Sequence, residues 1–289
     1  MSASLTTVPK LTGDLAVRAE AAMRSLAEHE RVGIAYSGGV DSATLAALAV
    51  RALGAERVVA LLGVSPSLAR RERQTAHEVA KAIGVPVHEI ETHEGERPEY
   101  IANDVDRCFF CKDELFTRIE DEVLDELDLD AVAYGENADD AKRPDRPGAG
   151  AATRHAVLRP LASAGLTKRD VREVARALGV PVADKPAAPC LASRIPHGEK
   201  VTPEKLRQVE DLEDAVFDLG FSDCRVRHHG RIARIEVPQG ELPRAVEPET
   251  RAALVNAGRK AGFRNVTLDL AGLQSGAFTL SIMNAKGTL

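Results

Sequence analysis

Apolar positions along the first half of the chain recur in two alternating periods. Leu15, Ala19, Ala22, Met23 and Leu26 share one face of a 3.6-residue repeat, so residues 15–29 predict an amphipathic helix. The unbroken run Val32-Gly33-Ile34-Ala35-Tyr36 reads as a buried strand, and Ala43 to Leu53 as a helix closed by Gly54. A second strand is expected over Val58 to Val64, a helix over Arg70 to Ile83 closed by Gly84, and a third strand over Val87 to Ile90. Lys112 to Glu126 predicts another helix, Ala131 to Tyr134 a strand, and Lys168 to Leu178 a helix ended by Gly179. Strands alternating with helices in this way predict an α/β fold, with a parallel sheet covered on both faces.

Past residue 184 the pattern changes. Two prolines in Asp184-Lys185-Pro186-Ala187-Ala188-Pro189 disfavour both helix and central strand, which makes this run a linker or ordered loop. Pro203 to Leu219 then predicts a helix, with Thr202 as its cap and proline at its first position. Cys224 to His228 and Arg231 to Val237 predict a hairpin turning at Gly230. Glu249 to Ala261 reads as a helix and Asn265 to Leu270 as a strand. The expected division is residues 1–194, a larger sheet domain, and 195–289, a smaller α/β domain for substrate binding or oligomerisation. No internal repeat is visible.

Charge and composition narrow the function. A net charge of −6 argues against a broad nucleic-acid-binding face. No apolar run approaches the ~20 residues that a membrane helix needs. Met1 to Lys10 has neither the basic nor the apolar stretch of a secretory signal, so a cytoplasmic location is expected. Four unevenly spaced cysteines do not make a disulfide scaffold; in a reducing cytosol they point to metal, cluster or redox chemistry.

The strongest local signal is Ser37-Gly38-Gly39-Val40-Asp41-Ser42, between the first strand and its helix. Two glycines let the backbone approach a phosphate, and the helix N-terminus offers unpaired N–H groups and a positive dipole end. Ser37 and Ser42 add hydroxyls, and Asp41 suits a Mg²⁺ bridging phosphate oxygens. The segment has no Walker A lysine and is not G-x-G-x-x-G. It resembles the PP-loop of the N-type ATP pyrophosphatases, which include NAD, GMP and asparagine synthetases and tRNA thiolases. That resemblance implies a Rossmann-like, adenine nucleotide alpha hydrolase-like domain that cleaves ATP between its α- and β-phosphates and adenylylates a substrate oxygen. Tyr134-Gly135-Glu136-Asn137-Ala138-Asp139-Asp140 is a second element, placed at a strand's carboxyl end. Gly135, Asn137 and Asp140 match the family's glycine-x-asparagine-x-x-aspartate stretch and are expected at ATP or Mg²⁺. Arg146-Pro147-Gly148 follows in a loop expected to close over the site.

Pro189-Cys190-Leu191-Ala192-Ser193-Arg194-Ile195-Pro196-His197-Gly198 sits at the expected domain junction, with Arg194 near the thiol. Further on come Arg225-Val226-Arg227-His228, Ile232-Ala233-Arg234-Ile235-Glu236 and Leu268-Asp269-Leu270-Ala271-Gly272. Together with the PP-loop and the Arg-Pro-Gly loop, these resemble the LarE sulfur transferases over nearly the whole chain. Those enzymes help to make the nickel-pincer nucleotide cofactor of lactate racemase. The resemblance implies a nucleotide substrate, pyridinium-3,5-biscarboxylic acid mononucleotide, whose carboxylates are adenylylated and then thiolated. It implies that Cys190 gives up its own sulfur and becomes dehydroalanine, and that the protein is a homo-oligomer, with a hexamer the suggested size.

The chain departs from that sacrificial pattern at Cys108-Phe109-Phe110-Cys111, a pair expected just before a helix. Two thiolates at this spacing can share one metal centre. With Cys190 they resemble the branch of the family that carries a 4Fe-4S cluster with an extra sulfide. A redox pair, a zinc site and two buried cysteines stay open as other readings. Cys224 is expected to be structural. Arg225 and Arg227 share one strand face, and two guanidiniums there suit the substrate's phosphate; Arg194 and Glu213 are further candidates for the same nucleotide. Three rival functions are a tRNA thiolase, an amidating synthetase, and a non-enzymatic adenine-nucleotide sensor.

Overall fold

The computed structural model describes residues 10–142 and 147–273 together with Val8. They separate into two compact units. One takes the described residues up to Ser65, then Arg70–Glu94 and Asp106–Ala188; the other takes Pro66–Ala69, Gly95–Val105 and the described residues from Pro189 onward.

The first unit is the expected α/β layer structure. Its strands are β1 (Val32–Tyr36), β2 (Val58–Val64), β3 (Val87–Glu91) and β4 (Ala131–Tyr134), all parallel, in the order β3-β2-β1-β4. Val32 lies opposite Val58 on one side and Ala131 on the other. Beyond β4, a single parallel bridge joins Ala133 to Leu158. Helices cover both faces, which is why β1 and β2 read as continuous apolar runs and not as alternating ones. On one face the helix Gly13–Ala27 buries Ala19, Ala22, Met23 and Leu26 and packs on Val40–Leu53, which also carries Lys168–Leu178. On the other face Val59, Leu61, Ile90 and Tyr134 pack with Phe116, Ile119, Val123, Ala151, Ala152 and Val157. Burial of each large side chain such as Phe116 or Ile119 contributes about 1.5–3 kcal/mol.

Two helices begin three or more residues earlier than the sequence pattern indicates. Val40–Leu53 starts inside the PP-loop, so Val40, Asp41 and Ser42 form its first turn. Arg107–Arg118 starts five residues before Lys112, so Cys108 and Cys111 lie within the helix and not ahead of it. Cysteine and phenylalanine are weak helix formers, but packing overrides the propensity. Phe109 lies against Gly150 of the helix Pro147–Arg154, and Leu115 against Gly63 of β2. The helix then widens through a π turn at Ile119–Val123 before Leu124–Glu126. Arg146 of the expected Arg-Pro-Gly loop lies outside the described residues.

The second unit contains the expected hairpin, β5 (Arg225–His229) and β6 (Ile232–Glu236), turning through Gly230 at φ 62°. β7 (Asn265–Leu268) pairs in parallel with β6, giving the order β5-β6-β7. The helices Pro203–Asp218 and Pro248–Lys260 pack against this sheet and each other. Thr202 caps the first of them through the Lys205 N–H at 3.3 Å.

Asn103 organises the segment that follows Cys190. It ends the short helix Pro98–Ala102 in the left-handed region, at φ 58°, and is fully buried. Its side-chain nitrogen lies 2.8, 3.0 and 3.3 Å from the carbonyls of Pro196, Glu199 and Ile195. Its own carbonyl accepts the Gly198 N–H at 3.1 Å. Asn103→Ala strips a donor from buried carbonyls and leaves a β-carbon in a strained conformation. A loss of about 2–5 kcal/mol is expected in urea unfolding. Asn103→Gly keeps the backbone and should recover only the strain portion. An alanine variant within about 0.5 kcal/mol of wild type would refute this account.

Candidate functional site

Strand order decides where a ligand can enter the first unit. The chain runs outward from β1 through β2 to β3, then returns to the opposite side of β1 for β4. The loops leaving β1 and β4 therefore part company at their carboxyl ends, and a parallel sheet binds ligands in the crevice so formed. Ser37–Ser42 leaves β1 there, and Gly135–Asp140 leaves β4.

The two segments touch through backbone. A β-carbon on Gly135 would fall 2.7 Å from the Asp41 carbonyl carbon and from the Ser42 nitrogen, so only glycine fits. Gly38 is equally constrained: its φ is +70°, and a β-carbon would sit 2.8 Å from the Ala76 backbone. The hydroxyl of Tyr36 donates to the Ala76 carbonyl at 3.0 Å, fixing that contact. Within the loop, Ser42 Oγ bonds the Gly39 carbonyl and receives the Ser37 N–H, each at 3.2 Å. Gly39 takes the cap position without any side-chain cap, which leaves first-turn N–H groups of the helix for an anion.

Asp41 is held from both sides. Its Oδ1 accepts from the Asn137 amide at 3.3 Å, and its Oδ2 from the Lys168 ammonium at 2.5 Å. Asn137, almost fully buried, also donates to Asp140 at 2.7 Å and accepts the N–H groups of Asp139 and Asp140. Lys168 escaped the sequence reading. Its Thr167-x-x-Asp170 capping box is visible in the sequence, but its reach to a carboxylate 127 positions earlier is not. The donors fit Mg²⁺, which takes one or two carboxylates plus phosphate oxygens, and the ammonium shows that a cation is accommodated at this carboxylate.

Other charge gathers at the end of β4. Glu136 is buried, with the Arg159 guanidinium 3.5 Å away. Burial, and then the neighbouring Glu136, push the Tyr134 hydroxyl above its ordinary pKa. Lys112 stands 4.5 Å over the Tyr134 ring, a cation–π contact one residue beyond Cys111. A cavity of roughly 400 Å³ lined by Glu30, Arg31, Arg57 and Asp128–Asp130 lies at the amino ends of the strands, away from this chemistry.

In the second unit Cys190 is exposed and immediately precedes the turn Leu191–Arg194. Arg194 is buried and makes a two-pronged pair with Glu213, at 2.8 and 3.1 Å. Its remaining nitrogen donates to the carbonyls of Pro189 and Cys190, at 2.6 and 3.3 Å. Burial opposes the Arg194 charge, yet Glu213 more than offsets it and holds the guanidinium above its ordinary pKa. Glu213 also accepts the Val226 N–H at 2.8 Å, tying this helix to β5.

Arg227 is likewise committed, to Glu236 at 2.9 and 3.0 Å and to the Ser193 carbonyl at 3.1 Å. Glu236 is shared with Arg234, which reaches Asp269 at 2.6 Å. Arg225 is buried on the same strand; burial lowers its pKa, and Arg194 and Arg227 repel it further. The structure thus gathers Arg194, Glu213, Arg225 and Arg227 into one buried network behind the Cys190 turn. Cys224 sits inside this network, and burial pushes its thiol far up, as suits a structural cysteine.

Cys108 and Cys111 belong to the first unit, one helical turn apart and neither in a disulfide, the first exposed and the second half-buried. Residues three apart on a helix share a face, so both sulfurs can address one metal centre. Iron–sulfur clusters take thiolate donors, and Cys108 and Cys111 offer two from one helical turn. Among the described residues, no three His, Cys, Asp or Glu side chains gather into a metal centre.

Comparison with known proteins adds three relationships. Residues 22–100 match the family model for NAD synthase. The chain is 42% identical to an uncharacterized protein of Synechocystis sp., over 86% of this chain and 92% of that protein. It is 30% identical to the pyridinium-3,5-bisthiocarboxylic acid mononucleotide synthase of Lactiplantibacillus plantarum, over 94% of this chain and 97% of that enzyme.

Gly135→Ala should keep the fold but displace Asp41 and Ser42, weakening nucleotide binding by an order of magnitude or more in calorimetry. Unchanged binding would mean that this contact does not shape the loop. Glu213→Ala leaves the Arg194 charge buried without its carboxylate and should cost about 3–5 kcal/mol in unfolding. It should also speed alkylation of Cys190, read by peptide mass spectrometry.

Proposed function

The chain belongs to the LarE family within the PP-loop superfamily, and from that premise we propose an ATP-dependent sulfur transferase. Its substrate is pyridinium-3,5-biscarboxylic acid mononucleotide, and its product the thiocarboxylate precursor of the nickel-pincer nucleotide. The observation that carries this reading is the Ser37–Ser42 loop at the sheet's switch point, in a chain that covers 97% of the Lactiplantibacillus plantarum synthase.

The chemistry follows from what each site offers. ATP lies with its triphosphate over the first-turn N–H groups at Val40–Ser42, where Ser37, Gly38, Gly39 and Ser42 shape the loop and Gly135, Asn137 and Asp140 line the other side. Asp41 would hold Mg²⁺, which would supply charge neutralisation at the phosphates. A substrate carboxylate oxygen attacks the α-phosphorus, pyrophosphate leaves, and an acyl adenylate forms. A carboxylate oxygen is a poor leaving group until it becomes part of AMP. A sulfur nucleophile then attacks the acyl carbon and AMP departs.

The source of that sulfur divides two versions. In the first, Cys190 attacks, its α-proton is removed, and its Cβ–Sγ bond breaks to leave dehydroalanine and the thiocarboxylate. In the second, Cys108, Cys111 and Cys190 would hold a 4Fe-4S cluster, which would supply the sulfur as a bound sulfide and leave the Cys190 Cβ–Sγ bond intact. The Cys108–Cys111 pair on one helix turn favours the second version. The arginine network of Arg194, Arg225 and Arg227 binds the substrate's phosphate through the charge it carries in excess of Glu213 and Glu236. The location is cytoplasmic; among the described residues no helix is long and apolar enough to cross a membrane. The assembly is a homo-oligomer.

Anaerobic purification followed by iron, sulfide and visible-spectrum assays tests the cluster. AMP and pyrophosphate should form only with the pyridinium substrate. Cys190→Ala should still adenylylate but transfer no sulfur, whereas normal transfer by this variant would overturn the mechanism. Cys108→Ala should lose iron and multiple turnover together. If no iron is found and the intact protein emerges about 34 Da lighter, one H₂S, the sacrificial version holds.

A further inference from the structure

Lys168 has no part in the reading above, yet it occupies the one carboxylate that reading assigns to the metal. We infer that Lys168 is a built-in counter-ion for Asp41, which excludes a bare divalent cation and yields only to a cation arriving with its triphosphate. The inference rests on Asp41 being the metal ligand of an ATP site.

The geometry supports a device and not a chance surface pair. The Lys168 backbone is fixed: its N–H donates to Asp139 at 2.9 Å, and it opens a helix whose Thr167–Asp170 capping box is complete. Asp170 is anchored in turn by Arg18 at 2.7 Å. Asp41 is fixed by the glycine contact at Gly135 and by Asn137. With both backbones held, the Lys168 side chain is the free element. It is 37% exposed and has room to swing, whereas the Asp41 side chain is 23% exposed.

Electrostatics then orders the binding. A divalent ion cannot share Asp41 with an ammonium held at 2.5 Å, because like charges that close repel by several kcal/mol even at an effective dielectric near 20. A bare ion offers Lys168 no new partner and must displace it at a net loss. A metal–triphosphate complex brings anionic oxygens, so the ammonium exchanges a carboxylate for a phosphate. It also completes a coordination sphere that one carboxylate leaves unfilled.

Binding of Mn²⁺ without nucleotide, followed by electron paramagnetic resonance, tests this. Lys168→Met, and Lys168→Gln as a second neutral variant, should bind Mn²⁺ about tenfold more tightly than wild type. Lys168→Arg should stay as weak as wild type, and Lys168→Met with Asp41→Asn should lose the gain. With α,β-methylene-ATP present, the advantage of the neutral variants should disappear. A gain below about threefold in both neutral variants, or one that survives Asp41→Asn, overturns the inference. Lys185→Met, which removes a lysine paired with Glu72, controls for general loss of charge. The ATP reading is judged separately by AMP and pyrophosphate formation in the wild-type protein, so either can fail without the other.

Discussion

Between Gly135 and the peptide joining Asp41 to Ser42 there is space for a hydrogen atom and nothing larger. That contact joins the ends of two neighbouring parallel strands just where their connections diverge. It brings the acid that ends one loop beside the amide that begins the other, so Asn137 can hold Asp41 and align Asp140. The parallel order β3-β2-β1-β4 makes the crevice, and the glycine lets its two walls meet at its floor. Side chains then supply the chemistry from positions the backbone has already set.

The second unit follows a different rule. Arg194, Arg225, Arg227, Glu213 and Glu236 are all buried, and burial of charge is costly unless each group finds a partner. Two bidentate arginine–carboxylate pairs meet that cost and serve a structural purpose. Arg194 uses its third nitrogen to fix the carbonyls of Pro189 and Cys190, and Arg227 does the same for Ser193. The exposed thiol therefore stands on a turn whose backbone is held by charges beneath it. Asn103 holds the segment beyond that turn through neutral hydrogen bonds.

Four cysteines of identical chemistry thus occupy distinct environments. Cys224 is sealed among the network and its thiol is held protonated by burial. Cys190 is exposed on a braced turn, while Cys108 and Cys111 ride one turn of a helix. Position in the fold, and not residue type, separates a sealed thiol from those that solvent reaches.

Much of this was legible in the sequence. Apolar periodicity is a local property, so every main strand and most helices could be read from it, as could the PP-loop, whose glycines are demanded by local backbone geometry. The start of the Arg107–Arg118 helix could not be read, because packing of Phe109 and Leu115 against distant residues outweighs weak local propensity. Nor could the Lys168–Asp41 pair, or the pairing of Arg194 with Glu213 and of Arg227 with Glu236. An ion pair depends on distance in space, and a sequence gives the charges without saying which will meet. The chain alone therefore determined the layers and the glycine-rich loop that leaves the first strand; tertiary structure decided which charges are already committed to each other.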